Sequence, residues 1–155
     1  MWNLVTLALL AAPLLPLPRG EAAIVIQVVN VRSGAGQVAC VLFNSPAGFP
    51  GPSPLVNGEV RARPPALPGD GKRRRGTPRA VGCTFEHLPA GDYAVLVYHD
   101  ENGNGLFDRD AVGIPTEGYG VSNNALPALS PPTFAGARFH LAAAERKGLA
   151  VTLRY

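Results

Sequence analysis

Histidine occurs three times, cysteine twice, and methionine and tryptophan once each among 155 residues. That scarcity excludes the Cys/His zinc modules, which need several ligands at close, fixed spacing; His87, His99 and His140 are not so spaced. Past the N-terminal region no stretch is apolar over the ~18 residues a membrane helix requires. No window there keeps a long 3.6-residue apolar period either, which excludes a helical bundle. Ser122 lacks the glycine-flanked elbow of an activated nucleophile, and Ser122-Asn123-Asn124 reads as loop capping. His99 and Asp100 are adjacent on a strand and point to opposite faces. The sequence therefore points away from an enzyme, with an uncharacterised hydrolase as the minor alternative.

No lysine or arginine precedes the apolar run that begins at Met1 and ends near Leu15. The run is too short and too broken by proline to span a bilayer, and small residues follow it, the pattern of a secretory signal peptide. Cleavage is expected near Ala22 or Ala23, giving residues 1–22 as signal peptide and 23–155 as an exported domain, periplasmic or secreted. The competing reading is an unstructured lead ahead of the domain. The formal net charge is +3, and it is unevenly placed. Between Glu59 and Arg79 seven basic residues face two acidic ones, a local +5 that leaves the rest of the exported chain at −2. The basicity belongs to one loop, so it predicts no nucleic-acid partner.

Glycine and proline, by contrast, are abundant, at 18 and 16. They separate short β-branched runs. Ile24–Val31 and Gln37–Phe43 read as an opening hairpin across the turn Arg32–Gly36. Ala80–Phe85, Tyr93–His99, Ala137–Leu141 and Leu149–Leu153 read as further strands. In the run from Tyr93, the residues Tyr93, Val95 and Val97 face one way and Ala94, Leu96 and Tyr98 the other, the mark of a central strand covered on both sides. Residues 45–78 form a long Pro/Gly/Arg-rich loop with one short turn near Leu55–Val60, because proline removes a ladder donor and fixes its own φ. The basic run Lys72-Arg73-Arg74-Arg75 lies in it as a solvated surface. Gly113–Asn124 reads as a structured loop. The fold class is all-β: one antiparallel β-sandwich of six to seven strands, transthyretin-like or immunoglobulin-like, with that loop as an insertion. Cys40 and Cys83 lie in two of the strands. In an oxidising compartment they pair as a disulfide worth ~3–4 kcal/mol; otherwise they are two buried apolar thiols.

The candidate site follows the central strand. His99-Asp100-Glu101-Asn102-Gly103-Asn104-Gly105-Leu106-Phe107-Asp108 sets oxygens at alternate positions, Asp100, Asn102 and Asn104. A sharp-turn glycine comes next, then the Leu106 carbonyl and the Asp108 carboxylate. This is the ligand spacing of a calcium loop. The twelfth position is Ala111, where an EF-hand places a bidentate glutamate, so Asp110 or Glu117 would have to supply the missing carboxylate. With so few carboxylates a weak, structural calcium site is expected, ~10⁻⁴–10⁻³ M. The same residues also make a metal-free Asx-rich turn. Farther on, Tyr119, Ser122, Asn123 and Asn124 could contact a ligand, a glycan or a peptide of an envelope partner.

The phrase Phe85-x-x-Leu88-Pro89-Ala90-Gly91-Asp92-Tyr93-Ala94-Val95-x-Val97 resembles the hairpin of transthyretin-like and collagen-binding-B-like sandwiches. The strings at 99–108 and at 113–124, Gly-Ile-Pro-x-Glu-Gly-Tyr-Gly-x-Ser-Asn-Asn, resemble a bacterial exported family known only as domain of unknown function 2141. The likeness extends over about Ile24 to Tyr155 and departs from the family at the insertion of about 50–78. It implies an exported, small β domain with no agreed activity, and it carries over no catalytic residue.

Overall fold

The computed structural model describes residues 21–51, 58–62 and 81–155. The expected leader up to residue 20, the basic run 72–75 and most of the 45–78 loop lie outside the described residues. The chain is nearly all β, in two sheets. β1 (Ala22–Val29), β4 (Val81–Leu88) and β8 (Arg146–Thr152) form a three-stranded sheet in the order β4-β1-β8. β2 (Gln37–Phe43), β3 (Gly58–Ala62), β5 (Gly91–Asp100) and β6 (Gly118–Val121) form the larger sheet in the order β3-β2-β5-β6, with β7 (Phe139–Leu141) also pairing β5.

Alternation along the strands decides which side chains meet. Ile24, Ile26 and Val28 of β1, Cys83 and Phe85 of β4 and Val151 of β8 share one buried cluster with Val38, Cys40 and Leu42 of β2 and Tyr93, Val95 and Val97 of β5. Both sheets thus contribute to a single core. Within it Cys40 and Cys83 are joined, with sulfur atoms 2.08 Å and Cα atoms 6.5 Å apart, so the disulfide ties one sheet to the other. The opposite face of β2 and β5 buries Ala39, Val41, Phe43, Ala94, Leu96 and Tyr98 under loop residues such as Phe107. β5 is therefore the central, two-faced strand that its sequence predicts.

Four expectations are corrected, among them the short turn near Leu55–Val60, of which residues 58–60 belong to a strand. β1 and β2 do not form a hairpin: β1 pairs β4 and β8, whereas β2 pairs β3 and β5. The turn at 32–36 instead carries the chain from one sheet to the other, after Asn30 leaves β1 at φ 66° and donates its Nδ2 to Leu153 O at 2.8 Å. The sheets are not wholly antiparallel, since β1 and β8 run parallel with Ile26 opposite Leu149. Gly118–Val121 is a strand, not a loop. Its glycines serve close approach: a Cβ on Gly118 would lie 2.1 Å from the Tyr155 ring, and one on Gly120 2.6 Å from Thr152 O. Within the proline-rich loop, Gly58–Ala62 adds an edge strand to β2, the place where flanking prolines do least harm.

Candidate functional site

β5 delivers His99 and Asp100, both fully buried, to the end of the larger sheet. Gly36 fits the preceding turn against them: at φ +62° its Cβ position lies 1.8 Å from Asp100 O, so no side chain could stand there. Asp100 then organises the loop. Its Oδ1 accepts from Asn104 N at 3.1 Å, and its Oδ2 accepts from Gly105 N at 2.9 Å and Gln37 Nε2 at 3.0 Å. Burial alone would raise this carboxyl, but the bonds from Gln37 and from the Gly105, Gly103 and Asn104 amides hold it below its ordinary value.

Two Asx turns follow. Asn102 Oδ1 accepts from Asn104 N at 2.9 Å, and Asn104 Oδ1 accepts from Leu106 N at 2.8 Å. Both amide groups donate to one oxygen, Oδ2 of Asp108, at 2.7 and 2.8 Å. Asp108 N in turn donates to Oε2 of Glu117 at 3.3 Å, which returns a distant carboxylate to the loop. Glu117 is 8% exposed, and its Oε1 is buried with no hydrogen-bond partner among the described residues. Burial pushes this carboxyl above its ordinary value; the amides of Asp108 and Glu101 oppose the shift, while the negative charges of Asp100 and Asp108 add to it. Asp110 does not join them. Its Oδ1 accepts from Val112 N at 3.0 Å and Ile114 N at 2.8 Å, capping its own turn.

Asp108 is therefore tied to Asn102 and Asn104 through its carboxylate and to Glu117 through its amide, and Asp100 bonds the same loop, whereas Asp110 turns away. The donors are all oxygen-bearing and include no sulfur or imidazole, the chemistry of a hard cation. Among the described residues, no group of three or more His, Cys, Asp or Glu side chains is placed as a ready-made metal cage.

His99 is committed elsewhere. Its Nε2 lies 2.9 Å from Ala35 O, which can only accept, so Nε2 carries the proton and Nδ1 accepts from the Tyr155 hydroxyl at 2.8 Å. That hydroxyl accepts from Arg32 N at 3.1 Å, and the Arg32 guanidinium stacks 4.2 Å above the Tyr155 ring. Arg32 also forms a forked ion pair with Glu101, which holds that carboxyl below its ordinary value. His140 sits at the other end of β5, opposite Asp92, so strand pairing does not bring it to His99.

The Tyr119–Asn124 row divides. Ser122 is fully buried: its Oγ accepts from Val95 N at 2.9 Å and donates to Ala137 O at 2.6 Å. Asn123 donates to Gly136 O and Arg138 O, at 3.1 and 2.9 Å. Asn124 lies along the edge of β8, donating to Ala150 O at 3.3 Å and accepting from Thr152 N at 2.8 Å. These three bind the protein to itself. Tyr119 is different. Its ring packs at a tilt against Phe107, 5.5 Å away and itself 5.0 Å from Tyr98, and helps line an open cavity of about 440 Å³. The sequence did not single out this cavity, because its walls come from Pro50, from 107–119 and from 127–132.

The class these features define is a two-sheet, disulfide-crossed β protein with an oxygen-rich loop after its central strand. Residues 26–148 match the family described as an uncharacterized protein conserved in bacteria, DUF2141, and the chain belongs to that family. No curated protein and no solved structure matches it.

Proposed function

We propose that this chain is an exported, non-enzymatic β-sandwich module of the bacterial envelope, periplasmic or secreted, transthyretin-like or immunoglobulin-like in type. Its loop 100–108 is pinned by a weakly held calcium ion. Residues 1–22 act as the signal peptide and 23–155 as the domain. The disulfide between the sheets supports export, because such bonds persist in oxidising compartments.

One observation carries the metal reading: the buried, unpartnered Oε1 of Glu117 beside the carboxylates of Asp100 and Asp108. The negative charges of Asp100 and Asp108 disfavour a further charge on buried Glu117, and a cation would offset that repulsion. Asn102 and Asn104 can turn their amides to offer oxygen, and the Leu106 carbonyl stands at the seventh position of the spacing. Calcium in the millimolar range should raise the melting temperature of the mature domain, and Asp100→Ala should abolish the rise. An unchanged melting curve would sink the metal reading.

A second reading has its own support. The groove lined by 113–119 favours a ligand-binding module that works without metal.

A further inference from the structure

We infer that the groove beside the loop binds a small apolar carboxylate, its body on Phe107, Tyr119 and Ile114 and its charge against Arg109. This rests on the ligand-binding reading and is independent of calcium. The volume of about 440 Å³ falls within the ~300–1,000 Å³ usual for small-molecule sites. Its floor is fixed, since Phe107 is 6% exposed and packs against the rings of Tyr98 and Tyr119. Its rim is apolar yet faces water. Of the large hydrophobic side chains exposed among the described residues, Val112, Ile114 and Leu129 all line it, at 79%, 61% and 100% exposure. Such clustering marks a binding surface.

The charge specifies the occupant. Among the described residues no acidic side chain lines the groove, and Arg109 is the one cation that does. Arg109 is held in place, its guanidinium 4.9 Å above the Phe107 ring and its Nη1 donating to Gly113 O at 3.2 Å. Among the described residues it has no carboxylate partner, so its remaining donors suit an anion. A sugar would need a row of polar contacts, whereas among the described residues Tyr119 and Ser130 are the only other polar side chains lining it. A peptide cannot extend the sheet here, because β6 pairs with β5 on one side and Tyr119 exchanges hydrogen bonds with Arg154 on the other.

The test measures decanoate binding to the exported protein by calorimetry, below the micelle concentration, against decanol as the neutral match. It is run once with calcium and once with chelator. We expect one decanoate per chain, bound about tenfold tighter than decanol in both buffers, a margin typical of one charge-assisted contact. Arg109→Gln should erase the preference, and Ile114→Asp should weaken both ligands; both side chains are exposed, so the fold should survive. No saturable binding up to about millimolar decanoate, equal affinity for the two ligands, or indifference to both variants would overturn the inference. So would a concentration-dependent dimer lost in Ile114→Asp, which would assign the groove to a second copy. Decanoate binding without a calcium-induced melting shift would reject the calcium site and leave this inference intact.

Discussion

The amide of Asp108 donates to the carboxylate of Glu117 across nine residues of chain, at 3.3 Å, and so holds a buried acid where the charges of Asp100 and Asp108 disfavour its ionisation. Removing that charge should relieve the metal-free protein. Glu117→Gln is expected to raise metal-free stability by ~1 kcal/mol, or roughly 3 °C in melting temperature, and to cancel any further rise on adding calcium. Thermal melts of the two proteins with and without chelator check both halves.

The disulfide closes a separation of 43 residues and crosses the core between the sheets. By chain entropy its loss should cost about 4 kcal/mol. Urea denaturation of the oxidised protein and of a Cys40→Ala/Cys83→Ala double variant reads this directly. Mass analysis of the unreduced native protein should find neither thiol open to alkylation.

Ser122 divides structure from recognition. Its hydroxyl satisfies Val95 N and Ala137 O at a fully buried position. Ser122→Ala leaves that amide unpaired and should cost about 1–3 kcal/mol. Decanoate affinity should stay unchanged, measured at a temperature where the variant is folded.

Tyr93 gives a pH signature far from the loop. It is 3% exposed, its hydroxyl donates to Pro89 O at 2.8 Å, and burial pushes its pKa above the ordinary phenol value. A raised folded pKa means that the neutral form is favoured by folding. Its stabilisation is full below the unfolded value of ~10 and is lost as pH rises through the folded one. Tyr93→Phe should cost about 1 kcal/mol at neutral pH and lose less stability above pH ~10 than the parent. Denaturant melts across that range test it.

Much of the fold was legible because local pattern reports local structure. The alternation Tyr93 to Tyr98 gave a strand covered on both faces, and the structure buries both sets. Pairing was less legible. Ile24–Val31 and Gln37–Phe43 look like hairpin partners, yet β1 finds its neighbours in β4 and β8, and nothing local in Arg146–Thr152 announces a parallel strand. Gly118 and Gly120 read as loop because their purpose, letting Tyr155 and Thr152 approach, lies in another segment. The candidate site shows the same division. Asp100, Asn102, Asn104 and Asp108 announce themselves by spacing, whereas the choice of Glu117 over Asp110 depends on β6 turning back to the loop. The groove was invisible in sequence, being assembled from segments about eighty residues apart.

The proposed function turns on whether the loop after β5 holds an oxygen-bound cation. The most direct test is a calcium titration followed residue by residue through amide NMR shifts. Saturable shifts confined to the loop are expected, strongest at Asn104, Gly105 and Asp108, with a dissociation constant of ~10⁻⁴–10⁻³ M, and none in Asp100→Ala. Unmoved loop amides at saturating calcium, or the same shifts in the variant, would contradict it.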